Sequence, residues 1–427
     1  MVEGWTDLGF VEFALRYRHH EYSTSCIEYS WQASIVQIRR TAHLAAIRRL
    51  LRDYPVVALL GARRVGKSTL ARQVVAGWRG PRTVFDLEDD VDRQKLQDPG
   101  LALRSVTGLV VLDEVQHLPD LFRVLRVLAD RPRHPVRFLV LGSASPELLR
   151  QTSESLAGRI AFHHIDGFSL DELTGHTAFS LDRLWLRGGF PASYLARDEA
   201  RSLEWRRNFT RTFVERDIPS LGSGVPAAVL GRFWMMLAHW HGQVWNASEF
   251  GRALGTSDAT ARRYLDLLAA TFVVRILRPW YENLGKRQVK SPKVYIADSG
   301  LAHALLGLET RDDLRGHPKV GASWEGFLVS QIIRRLGARP DDCYFWGTHQ
   351  GAELDLLVVR GRSRFGFEIK RTEAPAFTPS MRIALADLKL DELTVVHAGQ
   401  ETWPMADGVQ AVAARHLLEE IQPLATS

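Results

Sequence analysis

The sequence predicts an α/β chain. A parallel sheet surrounds a phosphate-binding loop, a helix–turn–helix–strand module follows, and an αβββαβ unit closes the chain. Three observations predict this. Val56-Val57-Ala58-Leu59-Leu60 runs directly into Gly61-Ala62-Arg63-Arg64-Val65-Gly66-Lys67-Ser68-Thr69, which has the spacing G-x-x-x-x-G-K-[ST], and then into an apolar helix start at Leu70. Leu109-Val110-Val111-Leu112 ends in Asp113-Glu114. Near the C-terminus, Glu325, Asp355, Glu368 and Lys370 fall on successive elements of one pattern.

Composition bounds the answer. The chain has 427 residues, 45% of them hydrophobic, enough for several buried cores. A net charge of +6 permits a nucleic-acid partner without requiring one. Cys26 and Cys343 stand far apart with no C-x-x-C, which excludes a disulfide scaffold or zinc ribbon and fits a reducing cytoplasm. No run approaches the roughly 18 apolar residues of a membrane span. The N-terminus has neither a basic nor an apolar leader region. The expectation is a cytoplasmic protein with no membrane partner.

Residues 1–38 read as an extension. Trp5, Phe10, Phe13 and Tyr17 show no period there and suit packing on a neighbour better than an arm. Residues 39–165 read as the nucleotide core. Leu44, Ile47 and Leu51 set a helix over 38–51, and Pro55 starts the strand that feeds the loop. Gly61 and Gly66 let backbone wrap a phosphate. The N–H groups of Ala62, Arg63, Arg64, Val65 and the helix start then point at the anion. Lys67 would bridge the β- and γ-phosphates of ATP, Ser68 would ligate Mg²⁺, and Thr69 continues the helix. Asp113 would hold Mg²⁺ through water, and Glu114 would act as general base on the attacking water.

The strand at 138–141 ends in Gly142-Ser143-Ala144-Ser145. Ser143 or Ser145 there either reads the γ-phosphate or simply forms a turn. Arg159 is the candidate arginine finger, set against a plain solvated helix end. In the finger role it acts on a neighbour's nucleotide and implies a homo-oligomer.

Residues 166–225 read as a helical section, with Ser169 as a cap and Gly188-Gly189-Phe190-Pro191 as a break. Glu215-Arg216-Asp217 suits a solvated face better than a second nucleotide sensor. In 226–282, helices at 247–254 and 257–269 precede a strand at 273–277, the order of a winged helix. Such modules bind DNA or serve as packing lids. The basic run Lys286-Arg287-Gln288-Val289-Lys290-Ser291-Pro292-Lys293 lies between Tyr281 and Tyr295. It either tracks a phosphate backbone or is a loop before a strand.

The tail, 283–427, predicts a helix at 323–336, strands at 342–347, 352–359 and 364–370, a helix at 380–388 and a strand at 393–397. Arg360-Gly361-Arg362-Ser363 is a tight hairpin turn. Counting back from it, Asp355 opposes Glu368, with Cβ atoms about 4.5–5.5 Å apart, and Lys370 opposes Glu353. Two carboxylates so placed repel unless a cation lies between them. Leu354 and Leu356, like Phe367 and Ile369, suggest one apolar face on the helix and one acidic face toward a cleft. Asp355 and Glu368 as metal ligands, with Glu325 and Lys370, would form a Mg²⁺ site that activates water against a phosphodiester. The alternative is a hairpin whose charges pair on a wet face.

The loop, the 109–114 strand and the Ser143 strand together resemble the AAA family of P-loop ATPases. From about residue 40 the chain resembles one prokaryotic branch of it, ATP-binding proteins of unknown function with a winged helix and a C-terminal domain of unknown function. Trp324-Glu325-Gly326-Phe327, Glu353-Leu354-Asp355 and Glu368-Ile369-Lys370 are similar to the PD-(D/E)xK nuclease superfamily. The resemblance implies an ATPase using ATP and Mg²⁺. It leaves two functions: an ATP-driven enzyme that cuts DNA with Asp355, Glu368 and Lys370, or an ATP-gated regulatory protein whose tail binds nucleic acid or protein and cuts nothing.

Overall fold

A computed structural model describes residues 38–424 except 119, 132–135, 144–155, 177–178 and 282–287. Almost all of the 1–38 extension, Ser145, Lys286 and Arg287 lie outside the described residues.

Five strands, β1 (Val56–Gly61), β2 (Arg82–Asp86), β3 (Gly108–Asp113), β4 (Val136–Ser143) and β5 (Ile160–His164), form a sheet in the order β2-β3-β4-β1-β5. Every pairing in it is parallel. Strand β1 is buried along its whole length because both faces are covered. Val57 and Leu59 join a core with Ile47, Leu70 and Val74, from helices α1 (Thr41–Asp53) and α2 (Lys67–Ala76). Val56, Ala58 and Leu60 face a second core with Phe122 and Leu125. The carboxyl ends of β1, β3 and β4 lie along one edge of the sheet, where ligands of open α/β sheets bind. Gly61 and Ser143 are register partners at that edge.

The helical section does not stand apart. Phe209, Phe213, Phe233 and Trp234 belong to the same core as Ile47 and Val57. The helix Glu199–Thr212 runs on into a wider π turn at Phe213–Asp217, the kind of irregularity often found at functional sites.

The second sheet holds β6 (Gln243–Val244), β7 (Val274–Pro279), β8 (Lys293–Ile296), β9 (Cys343–Gly347), β10 (Glu353–Arg360), β11 (Ser363–Lys370), β12 (Glu392–His397), β13 (Trp403–Ala406) and β14 (Val409–Ala413). Its order is β13-β14-β12-β11-β10-β9-β7-β8-β6. Helices Ala247–Leu254 and Asp258–Ala270 precede β7. Strand β7 pairs parallel with β9 at Arg278↔Tyr344 and Pro279↔Phe345. The strand read as belonging to the 226–282 module therefore continues the sheet of the tail.

The β10–β11 register predicted from the turn holds from Arg360↔Ser363 to Leu356↔Phe367. The predicted alternation of faces does not hold. Leu354 and Leu357 pack with Met381 and Ala384 of the helix Pro379–Leu388, whereas Leu356 and Val358 pack with Trp324 and Phe327 of the helix Val320–Leu336. The β9–β10 register shifts between Leu354 and Leu357, and the irregularity there puts Leu354 and Leu356, which would share a face in a regular strand, on opposite faces. Helices cover both sides of the hairpin, so the expected acidic face toward a cleft is instead interior: Asp355 is 6% exposed and Glu368 5%.

Candidate functional site

The phosphate loop is built as its spacing requires. Gly61 passes so close to β5 that a Cβ would run into the Ile165 carbonyl oxygen. Gly66 has φ 101°, a conformation glycine adopts without strain. Arg64, at φ 66°, adopts the left-handed region without that freedom. Lys67 opens α2, and its Nζ donates to the carbonyl oxygens of Gly61 and Ala62, 3.0 Å from each. Burial lowers the Lys67 pKa, while the nearby Glu114 and Asp113 carboxylates act in the other direction.

The second motif faces this loop. Asp113 accepts a hydrogen bond from Ser68, and burial still raises its pKa above that of an ordinary aspartate. Glu114 has φ 52° and ψ 47°, a left-handed conformation that is costly for a non-glycine residue. Its backbone N–H donates to Asp113 Oδ1 at 2.9 Å. Lys67, Ser68, Asp113 and Glu114 are thus brought together, and backbone pairing sets Ser143 beside Gly61. The cradle at Gly61 and the Ser68–Asp113 pair fit a nucleotide and its Mg²⁺.

Two arginine side chains lie away from the phosphate cradle of their own chain. Arg159 precedes β5 at the amino end of the sheet, and its carbonyl accepts from the Val56 N–H. The length of β1, about 16 Å, separates it from the loop. Its guanidinium grips Asp130 through Nε at 2.6 Å and Nη2 at 2.8 Å. Arg159 is therefore no part of its own chain's nucleotide site. Arg63, inside the loop, turns away from the backbone cradle to Asp217 Oδ1 at 2.7 Å and Glu88 Oε1 at 2.9 Å. With Gln116 and Arg216 these residues line a cavity of about 290 Å³. Glu215 and Arg216 are exposed, as the solvated-face reading has it, while Asp217 is half-buried against Arg63 and Arg216 lines the cavity beside it.

The tail gathers its predicted residues too. Asp355 Oδ2 accepts the Ile369 N–H at 2.9 Å. Lys370 pairs with Glu368 at 2.6 Å, not with Glu353 as the register suggested. Glu325 projects from the Val320–Leu336 helix. Burial, then the Asp355 charge, push Glu325 up to about 7 and Glu368 up to about 8. Two residues the sequence reading passed over complete the cluster. Lys293 Nζ lies 3.2 Å from Glu325 Oε1 and 3.4 Å from Asp355 Oδ1, and it also pairs with Glu353. Tyr295 donates its hydroxyl to Glu325 Oε1 at 2.6 Å. Burial works against the Lys293 ammonium, yet Tyr295, Glu325, Asp355 and Glu353 outweigh it and hold its pKa well above the ordinary lysine value. Period-two spacing of Lys293 and Tyr295 on an apolar strand was the available signal.

Beyond Lys370 lies a cavity of about 610 Å³, with Arg315, Arg371, Arg415, Trp185 and Trp324 in its wall. Arg371 stacks over the Trp185 ring at 5.4 Å. No helix of the described residues is long and apolar enough to cross a membrane.

Comparison with known proteins agrees with the first site. An AAA domain model matches residues 53–174. Two domains of unknown function, DUF8612 and DUF4143, match residues 178–312 and 320–417. The uncharacterized proteins Rv2008c of Mycobacterium tuberculosis and Mb2031c of Mycobacterium bovis are each 49% identical over 385 residues, 90% of this chain and 86% of theirs. Solved structures resemble it loosely. A Walker-type ATPase of Pyrococcus abyssi is 16% identical with a TM-score of 0.45, covering 63% of this chain and 96% of its own. A Thermotoga maritima RuvB variant is 14% identical with a TM-score of 0.31, covering 64% and 96%. The AAA match and the geometry of the loop identify an AAA-type P-loop nucleotide-binding fold.

Proposed function

We propose, for a chain that belongs to the family of its two mycobacterial relatives, that ATP hydrolysis at the AAA domain governs a C-terminal unit that binds an anionic partner. The observation that carries the ATPase reading is the convergence of Lys67, the Ser68–Asp113 pair and Glu114 at the carboxyl edge of the sheet. Ser68 and Asp113 would hold Mg²⁺, which neutralises phosphate oxygens when bound. Lys67 exchanges the Gly61 and Ala62 carbonyls for the β- and γ-phosphates. The loop N–H groups orient the same phosphates. Glu114 positions the attacking water and takes its proton. Ser143, the register partner of Gly61 at the end of β4, is the candidate to read the γ-phosphate. Arg216, at the nucleotide edge, is better placed than Arg159 to meet charge on it.

Lys67→Ala should abolish nucleotide binding. Glu114→Gln should bind ATP with wild-type affinity and lose about 10²–10⁴-fold in turnover. Unchanged turnover in Glu114→Gln would remove Glu114 from its role.

For the tail, binding is favoured over cutting, because a lysine already neutralises its carboxylates. The three arginines and stacked tryptophan of the large cavity suit a nucleic-acid strand. One observation favours the second reading, metal-dependent cleavage of DNA by Asp355, Glu368 and Lys370: Glu368 Oε2 is buried without a partner. ATPase rate with and without DNA, with Mg²⁺-dependent nicking followed in the same tube, separates the two.

A further inference from the structure

Four carboxylates, Glu325, Glu353, Asp355 and Glu368, meet at one end of the β10–β11 hairpin. Such a group needs positive charge within reach, and burial makes the need acute. Lys370 reaches Glu368. The other three share a cation that comes from a different part of the chain. Lys293 on β8 is separated from Asp355 by a sequence distance of 62. An ammonium has three N–H donors, and three carboxylates face this one. The Lys293 side chain is 4% exposed, and the Phe345 ring lies 5.7 Å from its Nζ. Tyr295, on the same face of β8, donates to the same Glu325 oxygen that Lys293 holds. Glu368 Oε2 remains a buried acceptor with no donor.

We propose that Lys293 is the resident cation of this site, and that a divalent ion enters only when its ammonium is withdrawn. A Mg²⁺ bound to Glu325 and Asp355 oxygens at about 2.0–2.1 Å would share one small interior pocket with a second positive charge. Their mutual repulsion in a dry interior excludes joint occupancy. The carboxylates in this arrangement therefore do not fit a metal. Among the described residues, no group of three or more His, Cys, Asp or Glu is set to hold one. The proposal concerns the tail alone and stands or falls independently of the ATPase reading.

The test uses the full, nucleotide-free chain and Mn²⁺ as the probe. Bound Mn²⁺ is counted from the loss of free-ion paramagnetic signal, and melting is followed in EDTA and in Mn²⁺. Wild type should bind no Mn²⁺ that Asp355→Asn removes, and its melting point should ignore the ion. Lys293→Met should melt lower in EDTA, gain one Mn²⁺ that Asp355→Asn abolishes, and recover its melting point with the ion. Lys293→Arg, which keeps the charge, should gain none. Asp355-dependent Mn²⁺ binding by wild type overturns the proposal, as does a folded Lys293→Met that binds none. If Lys293→Met does not fold, Lys293→Gln replaces it under the same criterion, and the wild-type measurement still decides against the proposal by itself.

Discussion

Arg40 is the side chain whose loss should be felt furthest. It precedes α1 and is 5% exposed. Its Nε and Nη2 grip Glu172, the latter at 2.9 Å from Oε2. Nη2 also donates to the Asp166 carbonyl at 2.9 Å, and Nη1 to the Val65 carbonyl inside the phosphate loop at 3.4 Å. Glu172 is itself 7% exposed. Burial opposes its charge, but Arg40, helped by His43 and the Ser169 N–H, outweighs burial and holds its pKa below the ordinary glutamate value. Arg40→Met therefore leaves a buried carboxylate without its main partner, a loss of about 3–5 kcal/mol. His43, 3.6 Å from Glu172, offers partial relief. Burial first, then the Arg40 charge, hold that imidazole down at about 4. With Arg40 gone it takes a proton more readily, so the loss should shrink as pH falls toward the ordinary histidine range. Arg40→Met combined with Glu172→Met should recover most of the stability, since replacing both members of a buried pair by apolar groups is often close to neutral. Urea unfolding followed by tryptophan fluorescence gives the cycle, and the KM for ATP reports the loop through Val65. A single-variant loss below about 1 kcal/mol, or a double variant as unstable as the two losses added, refutes the buried-pair account.

Two further outcomes follow from the same kind of reading. Gly61→Ala drives a methyl into the Ile165 backbone, so it should cost about 1–3 kcal/mol in a melt and weaken nucleotide binding; unchanged affinity would mean that the β1–β5 contact is not tight. The melting point should fall as pH rises from about 6.5 to about 8. Glu325 at about 7 and Glu368 at about 8 hold protons in the fold that the unfolded chain has released, so the stability they contribute is complete below the unfolded value near 4.5 and is lost as pH passes through the folded values. Buried His43 and His241 at about 4, and His163 and His303 at about 3, act oppositely but only below their unfolded value of 6.5, which leaves the upper window to the carboxyls. Glu368→Gln should flatten the fall, and a melting point that rises across this window sinks the assignment.

The nucleotide loop was legible because one local rule fixes it. Strand, glycine spacing, lysine and hydroxyl residue are contiguous, so no tertiary contact is needed to read them. The β10–β11 register was legible for a similar reason as far as Leu356↔Phe367, since the turn at Gly361 sets the pairs next to it. What stayed hidden depends on distant partners. A bulge between Leu354 and Leu357 leaves the composition of β10 unchanged but reverses the facing of its side chains. Arg159 follows β4 in the chain, yet the parallel sheet returns it to the opposite edge. Arg63 meets Asp217 across a sequence distance of 154, which no spacing rule spans. Lys293 looked like one more charge in a basic run. The apolar run Val294-Tyr295-Ile296 beside it was the hint, and the structure buries all four residues of that strand.

The same lysine bears on where the chain divides. Buried ion clusters contribute little net stability compared with apolar packing, but breaking one is costly. Their best-attested use is to permit one arrangement and penalise others. Here the arrangement is the docking of β7 and β8 beside β9. The β7–β9 link has only two residue pairs, Arg278↔Tyr344 and Pro279↔Phe345, and is weak by itself. Misplacing β8 would strand Lys293 without anions and leave Glu325, Glu353 and Asp355 without a cation. The cluster thus makes the nine-stranded sheet specific at a point where its backbone pairing is thin. Cutting the chain between β8 and the Val320–Leu336 helix removes β6, β7 and β8 together and leaves Lys370 as the nearest positive charge. Such a fragment has a reason to bind a divalent ion that the whole chain lacks. A metal requirement found in it would be a property of the cut.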